Sequence, residues 1–308
     1  MQITTVTMNP TIDKSSRVER VVAERKLRCR PPAFEPGGGG INVSRAIRNL
    51  GGASLTVFPA GEGHTGGFFK ELIEDEDLTY RAVSVQARTR ESLMIYEEST
   101  GQQYRFGMPG EKLTEADWQA CLEAAFDADA SPDYLVASGS LPPGAPEDFY
   151  ARMADRCREK AIRLVVDTSG DPLCRAAEAG VFLLKPNLNE LKTLAGCELD
   201  EEADQEEVVR ALVDEGRCRY VVLSLGAAGV LAASKEGLER LRAPTVKIQS
   251  KVGAGDSTLA GITLKLSQGA GFREAVRYGV AAGAAAVMTP GSELCRREDV
   301  ERLVQRIA

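Results

Sequence analysis

The chain is poor in histidine: His64 is the only one among 308 residues. That excludes mechanisms that need a histidine base in a catalytic triad, and any histidine-rich metal site. Seven cysteines are scattered at positions 29, 121, 157, 174, 197, 218 and 295, with no Cys-x-x-Cys pair. An odd, dispersed set suggests neither a zinc site nor a disulfide framework, and a reduced, cytoplasmic setting is expected. No apolar run approaches the ~20 residues of a membrane span. The opening MQITTVTMNP lacks the basic start and apolar stretch of a signal peptide. There is no basic excess, the net charge being −7. Neither nucleic acid nor a membrane surface is therefore expected as a partner. Two catalytic motifs are also missing. No Gly-x-x-x-x-Gly-Lys-[Ser/Thr] phosphate loop occurs, and no Gly-x-Ser-x-Gly nucleophile elbow. Internal repeats, low-complexity tracts and Gly/Ser linkers are absent as well.

What is present is a sizeable apolar fraction, 43%, and an alternating pattern. Short β-branched runs at 3–8, 55–60, 134–138, 163–167, 182–185 and 219–223 predict strands. Between them, 41–50, 68–75, 115–126, 146–160 and 204–215 predict helices, and the last third is helical at 256–267, 272–288 and 297–307. Strands separated by helices imply a mostly parallel sheet covered on both faces. Two segments break the rhythm. Residues 17–34 are basic and β-like, and 91–106 read as a hairpin turning at 99–102. Together they suggest a small antiparallel sheet standing off the main one, serving as a lid, a dimer contact or an edge extension.

Four consecutive glycines, Gly37 to Gly40, run directly into a helical pattern. Val43, Ala46, Ile47 and Leu50 mark its buried face, and Gly51 is placed to end it. Glycine is costly to order. At a helix start, however, it lets a ligand approach unpartnered N–H groups and the positive end of the dipole. Asn42 adds an amide that both donates and accepts, which suits a polyhydroxylated or phosphorylated ligand. The design repeats at Gly253-Ala254-Gly255, followed by Asp256 and an apolar helix. Asp256 is either an N-cap or a base beside a transferring phosphoryl group. Lys185 and Asn187 end a strand, and Glu190, three residues on, sits at a helix start where the pair suits Mg²⁺ and its waters. A further glycine turn, LSLGAAGV at 223–230, suits an adenine or ribose. GEGHTG at 61–66 matches G-x-G-x-x-G, but no acidic residue follows near 83–86, so a dinucleotide site is not expected. His64 is expected in a surface loop.

GGGGINVSRAIRNLGG and VGAGDSTLAG resemble the two signatures of the ribokinase-like phosphofructokinase B family, and KPNLNEL resembles its N-x-x-E motif. KLRCRPPAFEPGGGGIN and YRFGMPG bring the chain nearer the type-2 6-phosphofructokinase branch, and the glycine run lacks the lysine usual in 1-phosphofructokinases. The resemblance implies a single domain with a three-layer α/β/α core (1–14, 35–87, 108–308) and a small β lid (15–34, 88–107), often paired with a second subunit's lid in a homodimer. It implies ATP, Mg²⁺ and K⁺, with fructose 6-phosphate converted to fructose 1,6-bisphosphate. It makes Asp256 the base, with Gly253, Ala254, Gly255 and the backbone of Asp256 as the anion hole. Asp13, Gly38, Gly39 and Asn42 would hold sugar hydroxyls. Arg90 and Arg105 would hold a phosphate with Ser138 nearby, and Arg28 and Lys26 would reach the neighbouring subunit's site. Lys185, Asn187, Ser224, Gly226 and Gly229 would lie along the nucleotide. Ser250, Val252, Ala286, Thr289, Gly291 and Glu293 would surround K⁺, largely through backbone carbonyls, Glu293 being a departure from the family pattern.

The residues themselves support one part of this. With a hairpin loop at Thr100-Gly101, Arg105 would oppose position 96 and share a face with Arg90, two guanidiniums suited to a phosphate. Three alternatives stay open: a tagatose-6-phosphate kinase or 1-phosphofructokinase with the same chemistry, a non-catalytic sugar- or nucleotide-binding regulator, and a nicotinamide oxidoreductase resting on GEGHTG.

Overall fold

The computed structural model describes residues 1–126, 132–291 and 293–307. A nine-stranded sheet forms its centre. The strands are β1 (Ile3–Val6), β4 (Leu55–Gly61), β5 (Thr79–Val85), β8 (Tyr134–Ser138), β9 (Arg163–Asp167), β10 (Val181–Leu184), β11 (Cys218–Ser224), β12 (Val230–Ser234) and β13 (Gly237–Leu241). Their order across the sheet is 13-12-11-10-9-8-1-4-5. All pairs are parallel except the two that add β12 and β13 at one edge.

Strand periodicity places alternate side chains in different layers. Val136, Val165, Leu183 and Val222 pack into one apolar cluster. Leu135, Ala137, Leu164, Val166, Leu184, Val221 and Leu223 pack into another. Helices α1 (Gly39–Asn49), α8 (Ala254–Ser267), α9 (Phe272–Ala286) and α10 (Arg297–Val304) supply the first layer. Helices α3 (Glu115–Phe126), α4 (Phe149–Glu159), α5 (Asp171–Ala179), α6 (Leu188–Ala195) and α7 (Glu202–Asp214) supply the second. Helix α2 (His64–Asp75) closes the β4–β5 end with Phe69, Leu72 and Ile73 over Phe58. This is the three-layer arrangement expected. Strands β5, β12 and β13 and helix α5 are additions that the sequence pattern did not separate from loops.

The second sheet has four strands in the order β3 (Ala33–Gly37), β2 (Thr11–Val18), β6 (Arg90–Glu97) and β7 (Gln103–Gly107). Its two outer pairs are antiparallel and its central pair, β2 with β6, is parallel. Strand β2 begins at Thr11 and β3 runs to Gly37, so this sheet reaches past the expected 15–34 at both ends. The reason lies in Thr11, Ile12 and Gly37, which are buried against the body while the strand middles stand clear of it.

The β6–β7 register also differs from expectation. Arg105 pairs with Met94, not with residue 96, because the loop spans four residues, 98–101, closed by the Glu97 N–H on the Gln102 carbonyl. A slip of two residues preserves the face. Arg90 and Arg105 therefore still point the same way.

Candidate active site

The chain leaves β1 for the small sheet and returns as α1, which lands between the carboxyl ends of β1 and β8. At this point the strand order reverses, the usual place for a ligand crevice in an open α/β sheet. Close chain-on-chain packing explains the glycine run. A Cβ on Gly37 would lie 2.0 Å from the Asp13 carboxylate, and one on Gly39 would lie 2.3 Å from the Ser138 hydroxyl and 2.7 Å from its backbone carbon. One on Gly40 would lie 2.5 Å from the Val6 carbonyl oxygen, and Gly38 needs its φ of +119°. The helix begins inside the run, at Gly39. The Thr7 hydroxyl accepts the Ile41 N–H at 2.9 Å, so the protein itself satisfies part of this helix end.

The start of α8 is built differently. Gly253 is the N-cap in a left-handed conformation, and Asp256 is the third residue of the helix, with no capping bond from its side chain. The capping alternative for Asp256 thus falls. Its carboxylate instead accepts a hydrogen bond from the Asn42 amide at 2.9 Å, across 214 residues of sequence. The first intrahelical bond is from the Ser257 N–H to the Gly253 carbonyl. The N–H groups of Ala254, Gly255 and Asp256 are therefore left for an anion. Asn42 is buried and its Oδ1 has no partner among the described residues. A buried acceptor without a donor is costly; a ligand hydroxyl would satisfy it.

The two helix starts share one cavity of about 530 Å³, lined by Gly38, Gly39, Asn42, Gly253 and Asp256 on the body and by Asp13, Arg90 and Arg105 on the small sheet. Asp256 is pushed up to about 6 by burial and by Asp167, against the Asn42 hydrogen bond and Lys185, with Asp13 adding to the rise. Asp13 is likewise raised to about 6, chiefly by burial; Arg90 opposes this, Glu35 adds to it, and Arg105 and Arg45 oppose it. Arg90 donates to the Asn9 carbonyl at 3.3 and 3.1 Å and to the Met108 carbonyl at 3.1 Å, which fixes it at the cavity wall. Arg105 is exposed at the cavity wall. Three expected site residues do not line this chain's cavity, two of which were expected at a neighbouring subunit's site. Ser138 is buried behind Gly39 and is not part of the cavity wall, because the glycine run packs over it. Arg28 and Lys26 lie exposed in the β2–β3 connection, away from this chain's own cavity.

Beside the α8 start, Lys185 is buried and its ammonium is 3.0 Å from Asp167. Burial pulls its pKa down, but the Asp167 charge and hydrogen bond reverse this, leaving it raised. The ammonium would lie 3.4 Å from a Cβ on Gly255, so a fixed cation stands over the anion hole. Asp167 is a carboxylate the sequence reasoning missed. Asn187 is not a strand end but the N-cap of α6, and with Glu190 it forms a reciprocal capping box at 3.0 and 2.8 Å. Burial raises the Glu190 pKa. Ser224 closes β11 and bridges to Asn187, and a 3₁₀ turn (Gly226–Ala228) follows. Gly229 has its own packing reason, since a Cβ there would sit 2.0 Å from the Leu241 carbonyl oxygen.

In the 286–293 region the Thr289 hydroxyl lies 2.8 Å from the Ala286 carbonyl and 2.9 Å from the Leu294 carbonyl. Ser250 is buried and its hydroxyl accepts the Val252 N–H. Gly291 takes a φ of +59°. The Glu293 carboxylate is drawn into an ion pair with Arg296 at 2.7 Å. His64 is exposed, as expected, but is the first residue of α2 rather than a loop residue, with Gly63, at a φ of +94°, as the N-cap.

The family model for pfkB family carbohydrate kinases matches residues 6–299, the whole span that builds this cavity. The chain belongs to the pfkB family of carbohydrate kinases. As a family member it is a phosphotransferase acting on a sugar hydroxyl. It is 44% identical over 307 residues to the ATP-dependent 6-phosphofructokinase isozyme 2 of Mycobacterium tuberculosis, covering 100% of this chain and 90% of that protein. It is 40% identical over 304 residues to the Escherichia coli enzyme of the same name, covering 98% of each. The fold overlays on E. coli phosphofructokinase-2 in complex with potassium with a TM-score of 0.95, at 39% identity, over 99% of this chain and 98% of that one. The same E. coli protein has been solved with fructose-6-phosphate and in a tetrameric inhibited form. Among the described residues no helix is long and apolar enough to cross a membrane.

Proposed function

We propose that this pfkB-family chain moves the terminal phosphoryl group of ATP onto the 1-hydroxyl of fructose 6-phosphate, giving fructose 1,6-bisphosphate and ADP. The observation that carries this is the 2.9 Å contact between Asn42 and Asp256, which places the two glycine-led helix starts in one cavity. Asp256 takes the hydroxyl proton, and the oxygen attacks the γ-phosphorus as the bond to the ADP oxygen breaks. The N–H groups of Ala254, Gly255 and Asp256 and the Lys185 ammonium stabilise the migrating phosphate. Asp13 and Asn42 hold sugar hydroxyls beside Gly38 and Gly39. Arg105, aided by the anchored Arg90, holds the 6-phosphate.

Asn187, Ser224 and the turn through Gly226 and Gly229 lie along the nucleotide. Among the described residues no cluster of three or more His, Cys, Asp or Glu side chains is arranged to hold a metal directly. Glu190 with Asn187, and Asp167, would meet the waters of a Mg²⁺ arriving on ATP, which would neutralise phosphate charge. For K⁺, the donor chemistry fits backbone carbonyls near Ser250, Val252, Ala286, Thr289 and Gly291, with the Glu293 carboxylate paired to Arg296.

The small sheet acts as the lid and as a homodimer contact. Phe106, on its edge strand β7, is 48% exposed, and Arg28 and Lys26 would reach the partner's site. An ATP-consumption assay over fructose 6-phosphate, tagatose 6-phosphate and fructose 1-phosphate, with and without K⁺, tests the reading. Fructose 6-phosphate should have the highest kcat/KM, and preference for either other sugar would redirect it. Absence of turnover with all three would overturn it.

A further inference from the structure

Helix α1 carries a buried charged residue that the site described above does not use. Arg45 follows Asn42 by three residues and lies on the same side of the helix. Its side chain is only 4% exposed, a position at which a guanidinium is tolerated only with close partners. Nη2 reaches Glu35 of β3 at 3.1 Å. Nε and Nη2 reach Glu76, at the C-terminal cap of α2, at 2.9 and 2.5 Å. Arg48, one turn further on, also meets Glu76, at 2.7 Å.

Glu35 is the pivotal partner because of its register. It lies directly opposite Asp13 across the β2–β3 pair, so the two carboxylates share one face of the small sheet. Asp13 lines the cavity, and Glu35 stands between it and Arg45. Strand β3 has one further fastening to the body, the edge-on contact of Phe34 with Phe68 of α2, with ring centroids 5.4 Å apart. That contact lies nearer the open end of the strand. Glu35 lies two residues before Gly37, where the strand feeds into α1.

We infer that Arg45 is a positioning residue for the acceptor sugar: by clamping Glu35 and Glu76 it sets the β2–β3 hairpin, and with it Asp13, at a fixed separation from Asp256. This rests on the reading of the cavity as a sugar-phosphate site. Neither Arg45 nor Glu35 touches the reacting atoms. The clamp acts on the sugar side: β3 packs mainly on β2, α1 and α2, whereas Lys185 follows β10, Asn187 caps α6 and Ser224 ends β11.

The test is steady-state kinetics on Glu35→Ala, which leaves Arg45 still paired with Glu76, beside Glu35→Gln and Arg45→Met. Glu35→Ala should raise the KM for fructose 6-phosphate at least tenfold while the KM for ATP moves less than twofold. Glu35→Gln, which keeps an acceptor for Arg45, should recover most of the loss. Arg45→Met should show the same split wherever it folds. Unchanged sugar KM in Glu35→Ala, or equal rises in both constants, overturns the inference. Failure of the sugar-kinase reading is separate, because it appears in the unsubstituted protein as absence of turnover.

Discussion

The starts of α1 and α8 look alike in sequence, glycines running into an amphipathic or apolar helix, yet they solve opposite problems. Before α1 the glycines make room for the protein's own atoms, and Thr7 takes one of the helix's leading N–H groups. Before α8 the leading N–H groups stay free, and Gly255 is exposed with only the Lys185 ammonium near the place a Cβ would occupy. One start is a packed joint that fixes where Asp13 and Asn42 stand. The other leaves its leading N–H groups open, with room for an anion to reach them. A glycine run by itself therefore says that something must come close to the backbone, without saying whether it is protein or ligand.

Four experiments break or sharpen this contrast. The largest effect is expected for Asp256→Asn, which keeps the shape of the open start and removes its proposed base. kcat should fall by about 10²–10⁴, while ATP binding by calorimetry is preserved; near-normal turnover would remove Asp256 from the chemistry. Next, Gly255→Ala should lower kcat about tenfold, since a methyl enters the phosphate's path, a loss of roughly 1.4 kcal/mol in transition-state stabilisation. Its thermal stability should stay close to that of the unsubstituted protein.

Gly39→Ala should do the reverse. Its methyl meets the Ser138 and Gly139 backbone at 2.7 and 2.8 Å, and overpacking of this kind costs about 1–3 kcal/mol. Thermal denaturation of the two variants compared side by side decides the point; equal losses would erase the distinction. The smallest effect is on pH dependence. A base must be deprotonated to act, so with Asp256 raised to about 6, kcat/KM should rise with pH through that region and fall below it. Asp13 titrates in the same range, so the apparent value belongs to both groups. Asn42→Ala deletes the hydrogen bond that favours ionised Asp256, and should move this limb to higher pH. A shift to lower pH, or none, would show that the Asn42 contact does not act on the base.

Much of the fold was legible because helix and strand periods differ. The β-branched runs at 134–138 and 163–167 became β8 and β9 with the same bounds. Strands β12 and β13 were missed because they follow a glycine turn and pair antiparallel, which the α/β alternation does not announce. Asp256, Asn42 and Lys185 were legible through glycine turns and strand ends. Asp167 was not, because a lone acidic residue in VVDTSG has no motif around it; only its 3.0 Å contact with Lys185 marks it. Glu35 and Arg45 were invisible for a similar reason, since both belong to segments read for their glycines.

The sequence by itself determined which helix starts are rich in glycine, which residues alternate between the two core layers, and that Arg90 and Arg105 share a face. Parity along a strand survives a register slip of two, so that last inference needed no exact pairing. Only the tertiary structure decided that Asn42 meets Asp256, that Ser138 lies behind the glycine run, and that Arg45 joins β3 to α2. These are contacts between segments far apart in the chain, and their distances depend on how the helices settle on the twisted sheet, a sum over many packing contacts that no local pattern carries.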